Sequence, residues 1–212
     1  ESPDVFVKMD KVMEDGATVG IGRAVTIVDA TAEDCASWDF VKLTRKRRHR
    51  RQKIVKLNDH SEMYRIVADL RVPGFQPREW LTEGVWKKQD DGSLIIAFED
   101  VEHEDFPEQS GKFVRASSIS FLKFEELPPR GRVPQTKVSY FNQVDPKGLV
   151  PKFLVNSKIV ENLKYLSDMR KRFDKSLEVD QARRAELVPK IEQLPMGEGA
   201  GDFEAQFDEQ FN

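Results

Sequence analysis

Residues 136–173 read TKVSYFNQV, then DPKGLVP, then KFLVNSKIVENLKYLSDMRKRF. The first piece alternates in the manner of a strand. Pro146 and Gly148 punctuate its end, and Pro151 brings a fixed φ to a first helical position where its missing N–H costs nothing. A helix is predicted to start there. From 152 to 173 no Pro or Gly interrupts, and Val150, Phe153, Leu154, Val160, Leu163, Leu166, Met169 and Phe173 recur on one face. Lys152, Lys158, Glu161, Lys164, Asp168, Lys171 and Arg172 take the other face, so the helix lies against one layer and shows its back to water. At roughly 35 Å it is long enough to cross a whole sheet.

Three ordered motifs across residues 60–176 carry a resemblance. Thr136-Lys-Val-Ser-Tyr140 is followed by Val144-Asp-Pro-Lys-Gly148, Pro151-Lys152 and Val155-Asn156. Upstream, Pro73-Gly74 precedes Pro77-Arg78-Glu79-Trp80; between the two stand Pro107-Glu-Gln-Ser-Gly111 and Val114-Arg-Ala116. Together these resemble the START family, the lipid-transfer domains related to steroidogenic acute regulatory protein. Glu79 and Trp80 replace the Asp and Phe of the family's Pro-Arg-Asp-Phe turn, and the Pro107 segment resembles the exit from its first omega loop.

The resemblance implies an α+β helix-grip (START / Bet v 1-like) fold: a curved antiparallel sheet closed by a long C-terminal helix around a hydrophobic cavity. It implies non-catalytic binding of a hydrophobic lipid, a sterol or phospholipid, with transfer or sensing at membranes. The lipid-binding domain is expected over residues 1–176, without the family's N-terminal helix. Its cavity is expected to be lined by Tyr64, Ile66, Leu70, Phe98, Ala116, Ile119, Tyr140, Phe153, Val160 and Leu163. A gate is expected in the loop 99–111, with Val101 and Phe106, and at the start of the long helix, with Leu149 and Leu154. Apolar tips such as Phe153 and Leu149 either touch a bilayer during exchange or anchor the loop. In several steroid- and phospholipid-binding members a cavity arginine falls six residues after the motif arginine, where this chain has Gly84. Arg78, Arg115 and Tyr140 remain as polar anchors. The two arginines read equally well as structural, because a buried arginine is usually held by a carboxylate.

Elsewhere the pattern predicts strands over 5–13 and 23–28, joined across Asp15-Gly16 and the Gly20/Gly22 pair, and a helix over 32–43 capped by Thr31. Residues 63–72 alternate, with Tyr64, Ile66, Ala68, Leu70 and Val72 on one face. Strands over 80–88 and 93–98 flank the Asp91-Gly92 turn, and 114–124 precedes a Pro128-Pro-Arg-Gly131 loop. Gly84, Ala97, Ala116, Ser118 and Ser120 either leave room inside the sheet or sit on its solvent face.

A chain of 212 residues with 39% hydrophobic content and 14 Phe can bury one ordinary core. A net charge of −3 argues against a general polyanion binder. No apolar run approaches the roughly 20 residues of a membrane span, and no charged-then-apolar leader is seen. The single Cys35 leaves no internal disulfide and fits a reducing compartment, so the expectation is a cytoplasmic protein touching membranes peripherally. A start at Glu1 rather than Met fits a piece of a longer protein.

The strongest charge feature is Arg45, Lys46, Arg47, Arg48, His49, Arg50 and Arg51. Such a run docks on anionic headgroups at about 1 kcal/mol per basic residue, or forms a solvated helix end paired to the acidic loop 99–105. It lacks interleaved aromatics, so no nucleic acid partner is expected. Residues 177–212 read as a charged extension: a short helix over 181–194 interrupted by Pro189, a glycine-rich linker, and an acidic tail with Phe203, Phe207 and Phe211 four apart. That spacing suits docking to a protein partner, folding back on the domain, or plain disorder. His49, His60 and His103 are scattered, and paired cysteines, His-Glu-x-x-His and Gly-x-Ser-x-Gly are all missing, so no metal, cofactor or enzymatic activity is expected. Two other readings stay open: a regulatory interaction domain with a vestigial pocket, and a pocket enzyme of the cyclase or hydrolase type.

Overall fold

The computed structural model describes residues 6–8, 19–40, 49–70, 72–108 and 111–194. It divides into two compact units. One comprises Glu1–Pro128 with Pro134–Asp174, the other Pro129–Val133 with Lys175–Asn212.

The first unit is built on a single sheet. Its strands are β1 (Phe6–Lys8), β2 (Gly20–Val28), β3 (His49–Lys56), β4 (Ser61–Ala68), β5 (Arg78–Lys88), β6 (Leu94–Asp100), β7 (Val114–Arg115), β8 (Ser117–Arg130) and β9 (Val133–Asp145), the last two shared with the second unit at their hairpin end. The order is β1-β2-β9-β8-β6-β5-β4-β3. The pairings are antiparallel except that of β7, which runs parallel to the start of β5 at Arg78 and Glu79, beyond the point where β6 ends opposite Thr82. Helix α1 (Ala32–Phe40) follows β2, and Thr31 caps it by accepting the Asp34 N–H at 3.1 Å. The predicted extension of α1 to residue 43 falls outside the described residues.

The predicted long helix is present in two pieces, α2 (Lys152–Leu163) and α3 (Tyr165–Arg172). Lys164 between them keeps helical angles, φ −59° and ψ −14°, so the hydrogen-bond ladder breaks while the backbone stays in the helical region. The break separates Leu163, fully buried against β2, from Tyr165, which stacks on Trp38. Val28, Cys35, Ile96, Leu122, Phe124, Val138, Ile159, Leu163, Leu166 and Met169 form the centre of the core between sheet, α1 and these helices.

Four local expectations are corrected. Gly20 and Gly22 do not make a turn; they lie inside β2 beneath α2, where a Cβ would sit 2.7 Å from the Ile159 methylene carbon at Gly20 and 2.6 Å from its Cγ2 methyl at Gly22. Only a residue without a side chain lets the helix approach so closely. Gly84 leaves no free space, because the Phe98 ring, its cross-strand neighbour, lies 2.5 Å from where a Cβ would be. Pro128 and Pro129 lie in a strand. β6 begins at Leu94, opposite Phe124, so beyond that point β8 is unpaired on its β6 side, and that edge tolerates one residue with no N–H. Within the basic run, His49, Arg50 and Arg51 begin β3 and are not a helix end, while residues 45–48 lie outside the described residues.

In the second unit, α4 (Ser176–Glu192) starts five residues before the predicted 181 and carries Pro189 within it, with no buried residue. Leu177, Leu187, Val188 and Ile191 are exposed along it. The tail with Phe203, Phe207 and Phe211 lies outside the described residues. Among the described residues no helix is long and apolar enough to cross a membrane.

Two outcomes are expected from this packing. Gly22→Val drives branched carbons into Ile159 and Leu163 and should cost about 1–3 kcal/mol in urea unfolding, while an unchanged midpoint would contradict the close approach. Burial, helped by the charge of Asp34, pushes the Cys35 thiol up to about 12. Iodoacetamide at pH 8 should therefore label Cys35 in unfolded protein and leave the native thiol intact.

Candidate functional site

Strand side chains alternate between the two faces of a sheet, and in the first unit the face toward the helices is not filled throughout. It leaves a pocket of about 730 Å³, within the roughly 300–1,000 Å³ usual for small-molecule sites. The sheet contributes alternate residues: Ile66 and Ala68, then Leu70 and Val72 past the end of β4, Trp80 and Thr82 of β5, Phe98 of β6, Ser118, Ser120 and Leu122 of β8, and Tyr140, Asn142 and Val144 of β9. α1 adds Trp38 and Asp39. The opposite wall comes from Pro146 and Val150 of the connecting loop and from Leu154, Val155, Lys158, Ile159, Glu161, Asn162, Tyr165 and Asp168.

Most of that wall is apolar, and several of its polar groups bond within the protein. Asn162 Nδ2 donates to Asn142 Oδ1 at 3.2 Å, the Thr82 hydroxyl donates to the Glu99 carbonyl at 2.8 Å, and Lys158 pairs with Glu161 at 2.9 Å. Trp38 stacks on Tyr165 with centroids 5.4 Å apart, Tyr140 meets the edge of Tyr165 at 6.1 Å, and the Tyr165 hydroxyl donates to the Asp39 carboxylate. Burial, with a smaller contribution from Asp39, pushes the Tyr140 hydroxyl pKa up and keeps it protonated. Beside Ser118, burial also raises the Asp100 carboxyl, opposed by a 2.9 Å bond from the Ser118 N–H.

Of the residues the sequence nominated, the structure brings Ile66, Leu70, Phe98, Tyr140 and Leu154 into the wall. The others lie elsewhere for identifiable reasons. Tyr64 is buried beside Phe98 at 6.5 Å and spends its hydroxyl on Glu62 and the Phe40 carbonyl. Ala116 is buried where the β7–β5 pairing continues, its N–H bonded to the Glu79 carbonyl. Ile119 is 53% exposed, since Ser118 and Ser120 on either side of it face inward. Leu163 is spent on Gly22, and Val160 is half-buried off the wall. Phe153 and Leu149 are exposed at 69% and 97%. Phe106 is half-buried, its ring 5.8 Å from His103 and 5.9 Å from the Arg65 guanidinium; Val101 is also half-buried.

Neither arginine lines the pocket. Arg115 pairs with Glu79 at 2.9 Å and donates to the Phe106 carbonyl at 2.8 Å, while Glu79 also holds Arg65 at 2.6 Å. Arg78 is buried with three backbone carbonyls as its partners: Pro146 at 3.0 Å, Lys147 at 3.1 Å and Gln76 at 2.5 Å. Burial lowers its pKa. Arg45, Lys46, Arg47 and Arg48 lie outside the described residues; Arg50 and Arg51 pair by backbone with Val67 and Ile66. The sequence reading missed Trp38, Asp39, Trp80, Thr82, Leu122, Asn142, Ile159 and Tyr165. Trp80 and Thr82 were findable, since they sit at period two from each other across from Ile66 and Tyr64. The α1 and α3 contributions carried no pattern that points inward to a pocket. Among the described residues no three His, Cys, Asp or Glu side chains group to hold a metal.

The family model of the START domain matches residues 18–178. The chain belongs to the START family. A curated relative is the Arabidopsis thaliana protein called ENHANCED DISEASE RESISTANCE 2-like, 29% identical over 140 residues. That match takes in 59% of this chain and 18% of the relative, so the chain spans less than a fifth of that protein's length. In fold this START domain is similar to the lipid transfer and protein localization domain of human StarD13 (TM-score 0.64, 18% identity, covering 82% of this chain and 86% of that one). It is also similar to human StAR-related lipid transfer protein 5 (0.59, 20%, 82% and 88%) and to a STAR-related lipid transfer protein fragment from Xanthomonas axonopodis (0.64, 18%, 82% and 95%). At these identities the likeness is one of fold: a curved antiparallel sheet closed by C-terminal helices.

The START domain's Tyr165→Phe variant should test the polar corner of the pocket. It removes a donor from a buried carboxylate and is expected to cost about 1–3 kcal/mol in denaturant unfolding. A neutral result would mean that Asp39 does not need Tyr165.

Proposed function

We propose that this domain binds one hydrophobic lipid in its pocket and exchanges it at membrane surfaces, without catalysis. The observation that carries the reading is the pocket of about 730 Å³ under α2, whose surface is mostly apolar, in a chain of the START family. Burial of apolar ligand surface contributes about 25 cal/mol per Å², so a sterol skeleton or acyl chain needs few polar contacts there. The names of its structural neighbours, lipid transfer domains, agree with this use of the fold. The proposed lipid-binding domain comprises residues 1–176, and 177–212 form an extension.

Exchange requires an opening next to a bilayer. The loop before α2 and its first turn supply Pro146, Val150 and Leu154 to the wall while exposing Leu149 and Phe153, with Lys152 beside them and Lys147, paired to Asp145 at 2.6 Å, on the other side. An apolar tip flanked by cations fits insertion at an anionic interface.

Purified protein incubated with mixed-lipid vesicles, reisolated and extracted under denaturing conditions should yield one lipid class near equimolar amounts by mass spectrometry, chemically unchanged. Protein that returns well folded and empty would contradict lipid binding, and a converted lipid would point to an enzyme. Leu149→Glu with Phe153→Glu should slow transfer between vesicles by about tenfold while leaving the amount of bound lipid unchanged. Equal transfer rates would move the membrane contact elsewhere.

A further inference from the structure

The segment between β9 and α2 has few internal means of holding its shape. Pro146 has no N–H, and Lys147 and Gly148 both take left-handed angles, φ 52° and 71°. Its local bonds are two from Lys147 to the Asp145 carboxylate, the N–H at 2.9 Å and the ammonium at 2.6 Å, and one from the Val150 N–H to the Gly148 carbonyl at 3.0 Å. The carbonyls of Pro146 and Lys147 are both taken by Arg78, which reaches from β5, 68 and 69 positions earlier in the chain. Arg78 is 3% exposed, and it also donates to the Gln76 carbonyl of its own turn. A guanidinium presents five N–H donors in a rigid plane, so one side chain binds three carbonyls at fixed angles, which an ammonium cannot do.

We infer that Arg78 is the latch of the pocket: by gripping Pro146 and Lys147 it fixes where α2 begins, and its release frees the first turn of α2 from the pocket wall. Pro146, Val150, Leu154 and Val155, all in the wall, lie within ten residues of the gripped carbonyls. Arg78 is thus a positioning residue that touches no ligand. It acts through the loop, and it accounts for a buried cation spent on backbone. The consequence for exchange rests on the lipid-binding reading above; the grip itself is measurable with no lipid present.

Hydrogen exchange on the full chain, read by NMR or mass spectrometry, tests this with Arg78→Lys, Arg78→Gln and Asp145→Ala. The last loosens the same loop from its other side without touching β5. In the Arg78 variants, amide exchange at Val150, Leu154 and Val155 is expected to rise about ten- to a hundredfold, while Leu122 and Phe124 of β8 keep their protection. Asp145→Ala should give a smaller rise at the same amides, and it carries the test if the Arg78 variants fail to fold. Lipid transfer between vesicles should accelerate in step, with bound lipid at saturation unchanged. Unchanged protection at 150–155, or protection lost evenly across β4, β5 and β6, would overturn the latch and make Arg78 a stabiliser of the sheet. Loosened amides with lipid bound but transfer unaltered would overturn its role at the pocket. If wild type binds no lipid at all, the functional reading falls, and the amides alone decide the latch.

Discussion

Ile159 and Leu163 of α2 rest on Gly20 and Gly22 of β2 with no space for a Cβ between them. That contact sets the distance from helix to sheet at one side, and both helical residues are buried completely by it. Once α2 is seated so tightly on β2, the rest of a curved sheet cannot be met equally well by the same straight element. The strands further along the order, β8, β6, β5 and β4, turn Ser118, Ser120, Thr82, Phe98 and Ile66 toward space that the helix does not fill. Ile159 belongs to both regions, since it packs on the glycines and also lines the pocket. The hollow follows from one close approach and the curvature around it.

The two faces of the sheet divide the apolar residues unequally. Toward the helices lie the core and the pocket wall. On the outer face Val25, Ile27, Ile119 and Phe121 are exposed, Phe121 stacks on Phe141 at 5.2 Å, and Arg23 covers Phe141 with its guanidinium 5.6 Å from the ring. An ion-pair network then ties β4, β5 and β7 together, with Glu79 holding Arg65 and Arg115 where β7 joins β5. The Glu at 79 in the turn motif thus acts as the hub of a buried ion-pair cluster, and the adjacent Arg78 is left to bind the loop ahead of α2.

Much of the architecture was legible because period and punctuation agreed. Pro151 and the apolar face behind it announced the closing helices, Asp91-Gly92 announced the hairpin, and Thr31 announced α1. Misreadings arose where a residue type serves two purposes. Glycine marks turns in general, so Gly20 and Gly22 read as a turn when their use was to admit a helix. Prolines mark loops, so Pro128 and Pro129 read as a break, although they lie where β8 has run past the end of β6 and one of its edges is unpaired. Within the pocket, strand residues such as Ile66, Phe98 and Tyr140 were readable from alternation. Tyr165, Asp39 and Trp38 come from elements far apart in sequence and meet only through the tertiary packing, which no local pattern encodes. Ile119 and Phe153 look like cavity residues by hydropathy alone, yet register and helix phase turn both outward.

On the proposed function, ligand enters the space between α2 and the sheet. Methyl-labelled protein titrated with the lipid it extracts from vesicles tests this residue by residue. Shifts are expected at Ile66, Leu70, Leu122, Val144, Leu154, Val155 and Ile159, with Val25, Ile27 and Ile119 unmoved. Shifts confined to those outer-face methyls would contradict a ligand held inside the fold.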